Sequence, residues 1–162
     1  MIILKPDTKQ CMSELLLKET FDSFLLIEGD ITTFNQFHID GYLQKNFFDE
    51  SNLPTEQYSS WKCLREFSLS IIKGARTPLD FKFILSLPKE SVIELYNSAS
   101  FSFPSTSIQG LYLNLSYNGE HLQCITGVSF HTFIPDKSLE QLWDKYTLQL
   151  FEQWGISFEL LE

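Results

Sequence analysis

Residues 110–133 read GLYLNLSYNGEHLQCITGVSFHTF, and this stretch decides the fold class. Leu111, Leu113, Leu115 and Tyr117 fall on every second position, with Tyr112, Asn114 and Ser116 between them, which is the period of a strand with one buried face. Asn118-Gly119 follows at once. That dipeptide accepts the positive φ angles of a two-residue turn, so Leu111 to Tyr117 is expected to fold back antiparallel onto Glu120 to Thr126. Gly127 then allows a bend before a third extended piece, Val128 to Phe133, and Pro135 closes the unit ahead of a helix starting at 136–138.

Upstream, Phe81, Phe83, Leu85 and Leu87 alternate with more polar residues and predict another strand. Pro88 opens a short helix to about Ser98, and the serine-rich loop 99–107 carries Phe101 and Phe103. Before the strand, Trp61, Leu64, Phe67, Ser68, Ile71 and Ile72 recur at spacings of three and four, predicting a helix that ends at Lys73 with Gly74 in a left-handed cap. The run FLLIEGDITTFNQFHIDGYL predicts two antiparallel strands turning at Thr32-Thr33 or Asn35-Gln36, with Leu25, Ile27 and Ile31 sharing one face. A loop covers 45–58, with Phe47 and Phe48 in it. At the start, 1–4 predicts a short strand, and Asp7 or Thr8 caps a helix to about Lys18. Downstream, Leu139, Leu142, Trp143, Tyr146 and Leu150 stripe a helix from Ser138 to about Trp154, with Ser138 to Gln141 as a capping box and Gly155 as its end; Ile156, Phe158 and Leu160 form an edge strand. The fold class is α+β: antiparallel sheet packed by about four helices.

The two halves share one order of elements, strand, helix after a proline, hairpin, long helix, with Pro6 and Pro88 in equivalent places. Sliding 24–48 onto 110–134 without a gap pairs Leu25 with Leu111, Ile39 with Ile125, Gly41 with Gly127 and Phe47 with Phe133. A duplicated β-α-β-β-α unit, spanning 1–74 and 79–155 within one globular domain of 1–162, would relate the halves by a pseudo-twofold axis.

A chain of 162 residues, 43% hydrophobic, buries on the order of 70% of its unfolded surface, enough for a core without metal or disulfides. Cys11, Cys63 and Cys124 are scattered, with no CxxC pair, which argues against a disulfide frame or zinc knuckle and points to a reducing, cytoplasmic setting. No stretch reads as a signal peptide or a membrane span. The formal charge of −9 would be repelled by a phosphate backbone, so nucleic acid is disfavoured as a partner.

Any metal or acid-base proposal must use His38, His121 or His131. A tight turn at Thr126-Gly127 would send His121 and His131 to opposite faces, so no metal and no cofactor is expected. Gly127-Val-Ser-Phe-His131 starts like a nucleophile elbow, then has His131 in place of the second glycine. Glu28 with Asp30 reads as a solvated strand face. Lys73, Arg76 and Lys82 are the one basic concentration in an acidic chain and the candidate contacts for an anion, with His38 or Asp40 as the acid-base group of an enzyme reading. Phe47, Phe48, Phe101 and Phe103 are the candidates for a partner surface.

The runs LLLKETFDSFLLIEGDITTFNQFHIDG, IKGARTPLDFKF and TGVSFHTFIPDKSLEQLWD resemble a small bacterial family of domain-of-unknown-function proteins, a likeness that covers nearly the whole chain and implies one architecture without an activity. FKFILSLPKESVIELYN followed by GLYLNLSYNGEHLQCITG also resembles half of a DNA sliding-clamp domain, which implies a fold possibility; the last helix carries Glu140, Asp144 and Glu152 against Lys145, unlike a clamp's basic lining. The leading functional expectation is a non-catalytic module that binds a protein partner or itself. The second is binding of a small anion, or an enzyme acting on one, at Lys73, Arg76 and Lys82.

Overall fold

The computed structural model describes residues 1–162 as eleven main elements in the order β1 (Ile3–Pro6), α1 (Thr8–Met12, continued by a π-helical turn Ser13–Leu17), β2 (Leu25–Thr32), β3 (Gln36–Asp40), α2 (Trp61–Ile72), β4 (Asp80–Ser86), α3 (Lys89–Asn97), β5 (Ile108–Tyr117), β6 (Leu122–Phe130), α4 (Ser138–Gln153) and β7 (Phe158–Leu160). All seven strands join one antiparallel sheet in the order β3-β2-β4-β5-β6-β1-β7. The α+β class is therefore as the strand alternation and helical stripes required. No helix is long and apolar enough to cross a membrane.

Register explains the core. Phe81, Phe83 and Leu85 lie opposite Tyr117, Leu115 and Leu113, which lie opposite Leu122, Cys124 and Thr126. Directly paired residues point to one side of a sheet, so these rows build one apolar face, nearly all of it fully buried. Four helices cover it, α3 adding Leu95 against the β5 side. Trp61 of α2 packs its ring 4.9 Å from that of Phe83 and donates its indole N–H to the Leu15 carbonyl at the end of α1. Thr126 of β6 donates its hydroxyl to Asp144 of α4, and Trp154 at the end of that helix closes on Phe21 and Phe24. An Arg65–Asp22 pair, at 2.8 and 3.2 Å, ties α2 to the chain entering β2. The opposite face of the sheet carries Glu28, Asp30, Lys82, Asn114, Ser116 and Gln123, none of them fully buried.

Several local expectations are corrected. Tyr117 pairs with Leu122, so the hairpin loop holds four residues rather than two. The Asn118 carboxamide oxygen accepts from the backbone N–H groups of Glu120 and His121, and only Gly119 needs a positive φ, 97°. Gly127 makes no bend: β6 runs straight through it, with Gly127 opposite Tyr112, and the third strand is the continuation of the second. Gly74 is not a left-handed cap, because α2 ends at Ile72 and the chain leaves in extended conformation at Lys73; Gly155, at φ 70°, does end α4. The capping box of α4 is replaced by Asp136, whose carboxylate accepts from the N–H and hydroxyl of Ser138. In β2 the register shifts between Leu26 and Glu28, so Leu26 and Ile31 both reach the core while Leu25 and Ile27 do not share the face of Ile31.

The order of elements repeats, but the pairing does not. β4 lies against its own hairpin strand β5, whereas β1 pairs with β6 of the other half and with β7, never with β2. The sheet thus gives no support to a pseudo-twofold of equivalent units or to the clamp likeness built on it.

Candidate functional site

A cleft of about 740 Å³ lies at the end of α2. Its walls come from three places: the β2–β3 turn with Thr33 and Phe34, continued by Phe37 of β3; the last turn of α2 from Ser70 to Lys73; and the connection Gly74 to Leu79. Local sequence dictates each wall. Thr33 N–H donates to the Asn35 carbonyl and closes a tight turn, which leaves Phe34 88% exposed and edge-on to Phe37 at 6.0 Å. Ile71 and Ile72 are the tail of the apolar stripe of α2, carried past the edge of the core. Leu79 is anchored through its N–H to the Thr32 carbonyl, which folds the connection back over the turn.

Lys73 and Arg76 stand at this cleft, both exposed, and neither pairs with a carboxylate. The α2 carboxyl end beside them carries about half a negative charge, which two full positive charges outweigh. The lining holds no carboxylate, imidazole or thiol. The hydroxyl oxygen of Thr33 is buried there without a hydrogen-bond partner. An apolar floor of Phe37, Ile71 and Ile72 with two free cations at its rim can hold a molecule that has an apolar body and an anionic end.

Lys82 is elsewhere. It lies opposite Asp30, which lies opposite His38, on the sheet face turned away from the helices. His38 Nδ1 sits 2.7 Å from the Asp30 carboxylate, and this hydrogen bond raises the imidazole above its usual 6.5, against the cost of desolvation and with the added fields of Asp30, Glu28 and Asp40. Asp40, opposite Glu28, accepts from the Tyr42 N–H. The structure therefore brings Lys73 and Arg76 together and puts the sheet between them and Lys82, His38 and Asp40. His121 lies in the β5–β6 turn and His131 just past β6, at opposite ends of a nine-residue strand roughly 30 Å long.

The aromatic candidates also divide. Phe103 is buried, Phe101 stacks on Tyr96 and Phe103 meets Phe130 edge-on, at the edge of the core. Phe47 is 86% exposed, edge-on to Phe48 at 5.5 Å, on a loop held by Lys45, whose ammonium donates to the carbonyls of Pro54 and Glu56. Sequence reasoning misses Thr33, Phe34, Phe37 and Leu79, because they belong to the cleft only through the turn and the return of the chain at Leu79. An aromatic at the tip of a strand turn, Phe34, is the one signal the sequence offers.

No curated protein and no solved structure matches this chain. The model of a family of unknown function, DUF5721, matches residues 14–159, nearly the whole sheet and all the walls of the cleft, and the chain belongs to that family.

Proposed function

We propose that the protein is a non-catalytic binding module whose ligand site is the cleft at the end of α2. One observation carries this reading: Lys73 and Arg76, unpaired in a chain of charge −9, share a cleft with the apolar side chains of Phe37, Ile71 and Ile72. The ligand has an apolar part for the floor and a carboxylate or phosphate for the cations. A lining without a carboxylate, imidazole or thiol supports binding over proton transfer. Calorimetric titration with decanoate tests it. The reading expects saturable binding that weakens about tenfold or more in the Lys73→Gln/Arg76→Gln variant and is unchanged in Lys82→Gln. Absence of saturable binding, or binding indifferent to the double variant, overturns it.

A second reading, self-association, is favoured by the exposure of Phe47 on a loop tied down at Lys45. Sedimentation velocity over a range of concentrations decides it: the reading expects association lost in Phe47→Ser, and a monomer throughout contradicts it.

A further inference from the structure

Beside the cleft runs a second feature that the binding reading leaves unused. β3 is the first strand of the sheet and pairs on one side only, with β2. Its inward hydrogen bonds belong to odd positions, as the bonds from Gly41 N–H to the Ile27 carbonyl and from Thr33 N–H to the Asn35 carbonyl at its two ends show. By the alternation of an antiparallel ladder, the N–H and C=O groups of His38 and Asp40 point outward from the edge. Phe37 and Ile39 face the helix side, where Phe37 lines the cleft; His38 and Asp40 face the other side, in line with Glu28 and Asp30.

We infer, on the footing of the cleft reading, that the ligand is an extended peptide added as an eighth strand along β3, ending in a free carboxylate at Lys73 and Arg76. Two properties of the edge define it, direction and alternation. An added strand antiparallel to β3 runs from Asp40 toward Gln36, so its C-terminus arrives at the Phe34 end, at the mouth of the cleft. A parallel strand would bring an amine there, against two cations. Side chains of the added strand alternate: those on the helix side meet Phe37 and the apolar cleft, and those on the other side meet Asp40, His38 and Asp30. The peptide is therefore apolar at one set of alternate positions and basic at the other. A second copy of this chain fits the edge poorly, since its own β3 carries Asp40 and no lysine or arginine to meet the carboxylates of Asp40, Asp30 and Glu28.

The test uses the intact protein and changes only the peptide, so that no variant has to fold. Acetyl-Thr-Lys-Val-Lys-Phe with a free carboxylate is expected to bind saturably and to displace decanoate. Its C-terminal amide is expected to bind about tenfold weaker despite its greater positive charge. N-methylation of both lysines, whose N–H groups would face β3, is expected to abolish binding, while N-methylation of Val and Phe leaves it intact. Decanoate binding without displacement by the peptide overturns the strand-addition inference and leaves the cleft reading standing; binding of neither overturns both. Equal binding of the carboxylate and the amide, or equal effects of the two N-methylation patterns, overturns the inference, as does dimerisation of the chain through β3.

Discussion

Gly41 shows how narrowly some positions are determined. A Cβ at that position would lie 1.7 Å from the Leu26 carbonyl oxygen, because the residue sits where the chain past β3 is held between β2 and the segment leading to α2: its N–H donates to Ile27 and its carbonyl accepts from Ser59. Backbone cannot yield as a side-chain tip can. Gly41→Ala is expected to cost about 3 kcal/mol of stability, measured by urea unfolding; a cost under half that would mean the crossing is looser than described. His38 gives a second prediction at this scale. Its hydrogen bond to Asp30 raises its folded-state value, so the pair's contribution is fully present below the ordinary histidine range and is lost as pH rises through the folded value. An NMR titration should place His38 above an ordinary histidine and return it to the ordinary range in Asp30→Asn; no difference between the two proteins would contradict the pair.

Among the elements, the β5–β6 hairpin carries the most structural information and the least chemistry. Gly119, at φ 97°, lies so close to the connection folded over the cleft that a Cβ added to it would stand 3.0 Å from the Leu79 carbonyl oxygen. Gly119→Ala is expected to cost about 1–2 kcal/mol and to be read as a lower thermal midpoint. Alternation at Phe81 to Leu87 and Leu111 to Tyr117 makes these strands and their buried face legible, because a half-buried strand must alternate. The face of β2 is not legible in the same way, for a physical reason: a bulge adds one residue, and parity counted across Ile27 changes sign there. Gly127 invites the expectation of a bend because glycine permits one, but a permissive residue does not require it. The basic residues proposed as anion contacts are legible to different degrees. Lys73 and Arg76 stand out as cations close in sequence, whereas Lys82, six residues further on, lies two positions into a strand whose parity sends it to the far face.

At the scale of the whole molecule, the sheet separates two environments, an apolar one shared with the four helices and a charged one open to water. The cysteines report on this division. Burial pushes the Cys11 thiol up to about 12 and raises Cys124 well above its ordinary value, while Cys63 is exposed on α2. Iodoacetamide is therefore expected to modify Cys63 alone in the native protein and all three after denaturation, read by mass spectrometry; native labelling of Cys11 or Cys124 would show that α1 does not stay docked. The same division bears on the proposed site: the cations of the cleft and the His38 array lie on opposite sides of the sheet. The most direct test maps backbone amide NMR shifts during titration with decanoate. Changes are expected to concentrate at 33–37 and 70–79, with Lys82, Asn114 and Ser116 unmoved. Changes centred on those three residues of the open face, or no localised change, would contradict the cleft reading.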